Sequence, residues 1–191
     1  LNTVQAIWMK NKKDVSNEEY EEFFKFIGHT DNAPLTWMHF SADAPIVLNS
    51  VLFVPEENPE AMGFGRCEPR VALYCHKVLI DSKPENLLPE WLRFLTGVVD
   101  SDDLPLNISR EMLQHDRQLR QISQNLDKKI KAKLEEMRDK NREEYEKFYK
   151  SFGRQLKLCA LDDYGKYKEQ LQDFLMFWSS TEEKPVTLAE Y

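Results

Sequence analysis

The spacing of hydrophobic and polar residues changes partway along the chain. Before residue 100 the apolar residues fall in short runs separated by Gly, Pro and charged residues, which is typical of strands and short helices. After Gln114 they recur every three or four positions, which is typical of long helices. The pattern predicts an α+β fold with a layered domain, a helical connector and the start of a small further unit.

The apolar runs of the first half predict strands at residues 4–9 (around Trp8), 35–40, 46–54, 71–80 and 98–99. Ser16 and Glu19 form a capping box, which predicts a helix that begins there and ends at Gly28. Pro89 predicts the first turn of another helix, which continues through Trp91 to Gly97.

The second half predicts helices almost throughout. One apolar stripe consists of Leu119, Ile122, Leu126, Ile130, Leu134 and Met137. The stripe departs from a strict heptad repeat, so packing on a sheet is favoured over a coiled coil. A helix starting at Asn141 with Glu144 is predicted to end at Gly153, and a last amphipathic helix carries Tyr167, Leu171, Phe174 and Leu175. Thr187 with Glu190 is a further capping signature, and both chain ends are interpreted as lying within a longer protein.

Composition and charge narrow the possible functions. Hydrophobic residues make up 41% and charged residues 31%, which is typical of a folded domain and not of a disordered chain. No apolar run approaches the roughly 20 residues that span a bilayer, so no membrane role is predicted. The net charge of −7 disfavours nucleic acid as a partner. Residues 128–157 hold 11 basic against 6 acidic side chains, but the interleaved acids favour a solvated helix face.

Candidate chemistry is sparse in the sequence itself. Cys67, Cys75 and Cys159 fit neither a disulfide framework nor a zinc site, so reduced thiols and no metal are predicted. The histidines lack ligand spacing, and His39 and His76 are expected in strands. There is no Gly-rich phosphate loop, nucleophile elbow or H-E-x-x-H motif. By composition, the polar segment at residues 100–114 is a capped loop, and an isolated Arg there is usually a surface ion-pair partner.

This segment carries a resemblance that changes its interpretation. Its sequence, V-V-D-S-D-D-L-P-L-N-I-S-R-E-M-L-Q at residues 98–114, resembles the signature of the heat-shock protein 90 middle domain. L-P-E-W-L-R-F, L-F-V-P and Y-x-x-F-x-x-x-F-G follow the family's order and spacing. L-N-T-V-Q-A-I-W-M and V-A-L-Y-C-H-K-V-L-I are most similar to the mitochondrial paralogue. The resemblance covers almost the whole chain.

The resemblance implies a fold and a division into domains. We expect a large αβα layered sandwich at residues 1–137, a helical connector at 138–154 and an incomplete small αβα subdomain at 155–191. The nucleotide-binding domain and the C-terminal dimerisation domain of the family are absent from this sequence. We therefore expect the isolated segment to be inactive and the full-length parent to be an ATPase and a homodimer.

The resemblance also implies catalytic residues. In the family, ATP with Mg²⁺ binds mainly in a separate N-terminal domain, and a middle-domain loop reaches the γ-phosphate. Carried onto this sequence, the contacting arginine is Arg110, with Gln114 and Asn107 in the same loop. A guanidinium group suits this role because it can pair bidentately with phosphate oxygens.

The same resemblance implies partners and a location. Trp8, Met62 and Phe64 match regions where family members contact client proteins or the N-terminal domain, and an exposed Trp would suit adaptable contacts. The alternative for Trp8 is packing against the sheet. Expected partners are the N-terminal ATPase domain, clients and cochaperones, in the mitochondrial matrix or alternatively the cytoplasm. A docking module for clients or cochaperones, with no role in hydrolysis, is the alternative function.

Overall fold

The computed structural model describes residues 6–61, 63, 65–105, 109 and 117–191. Within these residues the fold is α+β, as predicted. Contacts divide the chain into two compact units, residues 1–130 and residues 131–191. The predicted first boundary, at residue 137, lies seven residues further on, and the division into three parts stays a prediction.

The first unit contains helix α1 (Asn17–Gly28) and a five-stranded mixed sheet among its described residues. The strands are β1 (Pro34–Ala42), β2 (Leu48–Pro55), β3 (Arg70–Cys75), β4 (Val78–Asp81) and β5 (Thr96–Asp100), in the sheet order β1-β2-β5-β3-β4. β5 runs antiparallel to β2 and parallel to β3. It is therefore the central strand, and each of its five residues is buried.

Helix α1 begins at the capping box that the sequence predicted. The Glu19 N–H donates to Ser16 Oγ at 3.2 Å, and the Ser16 N–H donates to Glu19 Oε2 at 2.9 Å. The helix ends at Gly28 as predicted, although the residue in the left-handed region is His29, with φ 48°. Tyr20, Phe23 and Phe24 face the sheet core, so the cap fixes the helix start and burial holds its inner face.

Residues 71–80 form a hairpin, and the prediction of a single strand was wrong. β3 ends at Cys75 and β4 begins at Val78. His76 and Lys77 between them have φ values of 48° and 64°. Two successive residues with positive φ are the requirement of a type I′ turn, which usually has Asn or Gly there. His76 is consequently in a turn and not in a strand.

Two further predictions in this unit were wrong. Trp8 lies in a 3-10 turn, Ile7–Met9, and not in a strand. The segment after Pro89 forms only a 3-10 turn, Glu90–Leu92, before the chain enters β5. Gly97 is therefore a strand residue and not a helix stop. Its Cα faces β2 so closely that an added Cβ would lie 2.1 Å from the Val51 carbonyl oxygen.

The second unit is built around helix α3. The helices of the described C-terminal region are α2 (Arg117–Lys140), α3 (Arg142–Leu161) and α4 (Lys168–Leu171), followed by the hairpin β6 (Met176–Ser179) and β7 (Lys184–Thr187). The division between units falls within α2. All six residues of its apolar stripe are buried, as predicted. In α3, Tyr145, Phe148 and Phe152 are fully buried, and the Tyr149 hydroxyl donates to the Met176 carbonyl oxygen at 3.1 Å.

The helix predictions for this unit need correction. Helix α3 does not end at Gly153 but continues to Leu161. Gly153 instead allows the Tyr149 ring to pack closely, since an added Cβ would lie 2.6 Å from that ring. Asn141 precedes α3 but its side chain bonds Glu144 and does not cap the backbone. The predicted last helix is one α-turn and a 3-10 turn, after which Leu175 is extended. The hairpin β6–β7 was not predicted.

Basic side chains on α3 pair with acidic side chains one turn away. Lys147 lies 3.1 Å from Glu143, and Arg142 lies 3.3 Å from Glu146. These pairs agree with the prediction of a solvated face, where each contributes about 0.3–0.5 kcal/mol. Among the described residues no helix has the length and apolar character needed to cross a bilayer.

Gly97→Ala tests the central position of β5. The added methyl group would meet Val51 and Leu52 backbone atoms at 2.1 and 2.9 Å, and these cannot move without breaking the sheet. We expect a loss of about 3 kcal/mol in the free energy of unfolding, measured by urea denaturation. Gly28→Ala is the control, since its nearest contact is the Thr30 methyl group at 3.3 Å. Equal midpoints for the two variants would contradict the packing described for β5.

Candidate functional site

The described part of the predicted catalytic loop is its base, at residues 100–105 immediately after β5. The Ser101 N–H donates to the Tyr74 carbonyl oxygen at 3.1 Å, so pairing with β3 continues one residue beyond the strand. The Ser101 hydroxyl donates to the Val47 carbonyl oxygen at 2.7 Å, and Asp103 Oδ2 accepts from the Val47 N–H at 2.7 Å. The loop base is therefore fastened to the chain that enters β2.

The β3–β4 turn holds the other side of the loop base. The Cys75 thiol, which is fully buried, donates to the Leu104 carbonyl oxygen at 2.9 Å. Burial, and secondarily the nearby carboxyl groups of Asp100 and Asp102, raises the pKa of this thiol. It therefore stays protonated as a donor at neutral pH. His76 Nδ1 lies 3.1 Å from Asp102 Oδ1 in a more exposed pair.

Trp8 is buried at the same place, with 6% of its surface exposed. Its ring packs against Phe23 and Tyr74, with centroid distances of 5.9 and 5.1 Å. Its indole N–H donates to Asp100 Oδ2 at 2.9 Å. The expectation of an exposed indole was wrong for this conformation, and the sheet-packing alternative describes it. A role of Trp8 in client binding stays a prediction.

The loop between β2 and β3 has a fastened base as well. Arg93 Nε and Nη2 donate to the two carboxylate oxygens of Glu60 at 2.6 and 2.9 Å. Glu60 Oε1 also accepts from the Cys67 N–H at 2.8 Å. The Arg93 hydrogen bonds, more than the Cys67 contact, hold the pKa of the Glu60 carboxyl below its usual range. The pair is largely buried, with 13% and 15% of the side chains exposed.

The remaining predicted site residues lie outside the described residues. These are Asn107, Arg110 and Gln114 of the predicted catalytic loop and Met62 and Phe64 of the β2–β3 loop. The structure brings Trp8 to the base of the predicted catalytic loop, through Asp100. Sequence analysis missed Asp100, Glu60 and Arg93. Asp100 could have been noticed, because a charged residue two positions after Val98 falls on the same buried face of the strand.

Within the described residues, no cluster of three or more His, Cys, Asp or Glu side chains could hold a metal ion. Cys67, Cys75 and Cys159 are free thiols. The described site thus consists of the bases of two loops, each held by side-chain hydrogen bonds.

The chain is similar to proteins that are named as chaperones. It is 49% identical over 193 residues to the chaperone protein HtpG of Desulfotalea psychrophila. It is 48% identical over 191 residues to the HtpG of Bacillus subtilis and 47% identical to that of Clostridium botulinum. Each match covers 100% of this chain but only 30–31% of the relative.

The family follows from a match to the whole chain. The family model described as "Hsp90 protein" matches residues 1–191. The chain therefore belongs to the Hsp90 protein family, which confirms the family resemblance of the sequence. The chain spans about a third of the length of the curated relatives it matches.

The predicted mitochondrial assignment was wrong. The relatives reported above are bacterial proteins, and bacteria have no mitochondria. The prediction rested on two short segments, residues 1–9 and 71–80. Similarity of that length does not distinguish paralogues when bacterial members match over the whole chain at 47–49% identity.

Glu60→Gln tests the fastening of the β2–β3 loop. Because the folded-state pKa of Glu60 is lowered, its pair with Arg93 stabilises the protein above the unfolded-state pKa. That contribution is lost as pH falls through the folded-state value. We expect Glu60→Gln to cost about 1.5 kcal/mol at pH 7, and the difference from the unsubstituted protein to shrink steadily on acidification below about pH 4.3.

The measurement is urea unfolding of both proteins across that pH range. Glu57→Gln changes an exposed position in the same loop and is the matched control. It should change the free energy of unfolding little at any pH in the range. A cost for Glu60→Gln that is absent at pH 7, or that grows in acid, would contradict the ion-pair interpretation.

Proposed function

We propose that this chain is the middle segment of an ATP-dependent Hsp90-type chaperone. It supplies a γ-phosphate-contacting arginine to a separate ATPase domain and a surface for client proteins. The observation that carries the proposal is membership of the Hsp90 protein family over residues 1–191. The chaperone names of its relatives support the general function.

The proposed catalytic residue is Arg110, with Asn107 and Gln114 in the same loop. Transfer of the γ-phosphoryl group spreads negative charge over its oxygens, and a guanidinium group stabilises that charge. Such a contact requires accurate placement of the side chain. The hydrogen bonds of Ser101, Asp103 and Leu104 support the proposal because they fix where the loop leaves the sheet.

ATP and Mg²⁺ belong to the ATPase domain in this proposal. The chain's own contribution is Arg110, which arrives from a different domain and makes hydrolysis conditional on domain closure. The segment alone is accordingly expected to show no turnover. Proposed partners of the longer protein are its N-terminal domain, client proteins, cochaperones and a second copy joined through a C-terminal domain.

The proposed client surface centres on Met62 and Phe64. A flexible methionine and an aromatic ring suit adaptable contacts with many apolar sequences. Glu60 precedes both positions in the same loop, and its ion pair with Arg93 holds the base of that loop. Trp8 takes part in client contact only in a conformation that releases it from the core.

Arg110→Ala tests the catalytic proposal in a full-length protein that carries this segment. We expect ATP turnover to fall by about a hundredfold, equivalent to about 3 kcal/mol in the transition state. Nucleotide binding, measured in parallel by calorimetry, is expected to stay the same. Arg120→Ala, at an exposed position on α2, is the matched control.

Unchanged turnover in Arg110→Ala would overturn this role. The chain would then be a docking module for clients or cochaperones without a part in hydrolysis. A parallel loss of nucleotide binding would also contradict the proposal, because the arginine is proposed to act on the transferred phosphoryl group.

A combined Met62→Ser and Phe64→Ser variant tests the client surface. We expect its affinity for a permanently unfolded, fluorescently labelled polypeptide to fall by about tenfold or more, because both apolar contacts are removed. Anisotropy titration of the full-length protein measures this. Val78→Ser with Leu79→Ser is the control, since both are exposed apolar residues of β4 outside the loop. Equal losses in the two variants would argue against a specific client loop.

A further inference from the structure

A buried hydrogen bond joins two segments of the first unit that are far apart in sequence. Trp8 Nε1 donates to Asp100 Oδ2 at 2.9 Å, across 92 positions of the chain. Trp8 has 6% of its surface exposed and Asp100 has 1%. The bond connects the 3-10 turn Ile7–Met9 to the last residue of β5, where the catalytic loop begins.

Both partners are held by further contacts. The Trp8 ring lies between Phe23 of α1 and Tyr74 of β3. Asp100 Oδ2 also accepts from the Lys77 N–H at 2.9 Å, which ties it to the β3–β4 turn. Asp100 Oδ1 is buried and has no hydrogen-bond partner among the described residues. Oδ2 alone therefore receives both donors described, and its position depends on where Trp8 and Lys77 lie.

A carboxyl group at this buried position is unfavourable for stability. Burying a carboxyl group costs free energy that hydrogen bonds only partly offset, and Asp100 Oδ1 receives no such bond from the residues that the structure describes. Asp100 lies on the same strand face as Val98, which belongs to the apolar cluster around Trp8. An apolar side chain would suit this face for stability alone. The polar pair is better explained by the position in which it holds the end of β5.

The position of Asp100 affects the point at which the proposed catalytic loop leaves β5. Asp100 is followed at once by Ser101, whose N–H and hydroxyl bond Tyr74 and Val47. Leu104 is bonded by Cys75. The Trp8–Asp100 bond is the one among these contacts that comes from outside the sheet and its turns. Displacement of the Ile7–Met9 turn would therefore act directly on the carboxyl group at the loop base.

We propose that Trp8 and Asp100 are a positioning pair that fixes the direction in which the chain leaves β5 and so places Arg110 for phosphoryl transfer. This inference rests on the proposed function, because it assigns the pair an effect through Arg110. Neither residue touches the nucleotide in the proposal. Their effect is on the rate of the chemical step and not on the binding of ATP.

Trp8→Phe in the full-length protein is the primary test. It removes the indole N–H and keeps an aromatic ring against Phe23 and Tyr74. We expect kcat for ATP hydrolysis to fall by about tenfold, because a catalytic group displaced by about 1 Å can lose up to a hundredfold. KM for ATP and nucleotide affinity are expected to stay within about twofold, because nothing in the nucleotide pocket changes.

Two further variants separate positioning from stability. Trp37→Phe makes the same chemical change on β1, in a partly buried ring that stacks on Tyr20 with a centroid distance of 5.0 Å and packs against the same apolar cluster. It is expected to lower the melting temperature as Trp8→Phe does but to leave kcat unchanged. Asp100→Asn keeps a carbonyl oxygen that can accept the indole N–H, and it is expected to retain most of the turnover that Trp8→Phe loses.

Arg110→Ala, measured in the same series, separates this inference from the proposed function. If Arg110→Ala lowers turnover and Trp8→Phe lowers it no more than Trp37→Phe does, the positioning pair is wrong and the arginine role stands. If neither Arg110→Ala nor Trp8→Phe lowers turnover, both are wrong. A fall in Trp8→Phe without one in Arg110→Ala also overturns the inference, because the pair is proposed to act through Arg110.

Discussion

The architecture of the first unit depends on the central strand β5. Its five residues are buried, and it is hydrogen-bonded to β2 on one side and β3 on the other. The chain enters it just after Arg93, which is tied to Glu60, and leaves it at Asp100, which is tied to Trp8. The bases of both predicted functional loops therefore lie next to opposite ends of one buried strand that is paired on both sides.

The bases of the two loops are held by different kinds of interaction. Glu60 and Arg93 form an ion pair of opposite charges, which responds to acid and, where it meets solvent, to ionic strength. At Asp100 the donors are the indole N–H of Trp8 and the backbone N–H of Lys77, which carry no net charge. A rise in ionic strength that weakens the ion pair at the β2–β3 loop therefore need not weaken the hydrogen bonds at the base of the predicted catalytic loop. The two loops can respond separately although they share a strand.

Local rules predicted the parts of the fold that local interactions determine. The Ser16–Glu19 box gave the start of α1, and apolar spacing gave the buried stripe of α2. Predictions failed where tertiary packing overrode propensity. His76 adopts a turn conformation usual for Asn or Gly, and Gly153 lies inside a helix under the Tyr149 ring. The resemblance pointed to the family and the loops, but the Trp8–Asp100 contact spans 92 positions and no local pattern encodes it.

The sheet order also has a consequence for synthesis of the chain. The hairpins β1–β2 and β3–β4 form from neighbouring sequence. They are joined by β5, which comes last in the sequence among the five strands of this sheet. Until Asp100 leaves the ribosome, β2 and β3 each present an unpaired apolar edge, a known route to aggregation. Long-range pairing of this kind is slow to form compared with local hairpins and helices. A nascent chain with this sheet order therefore passes through a stage in which the inner edges of β2 and β3 are both exposed.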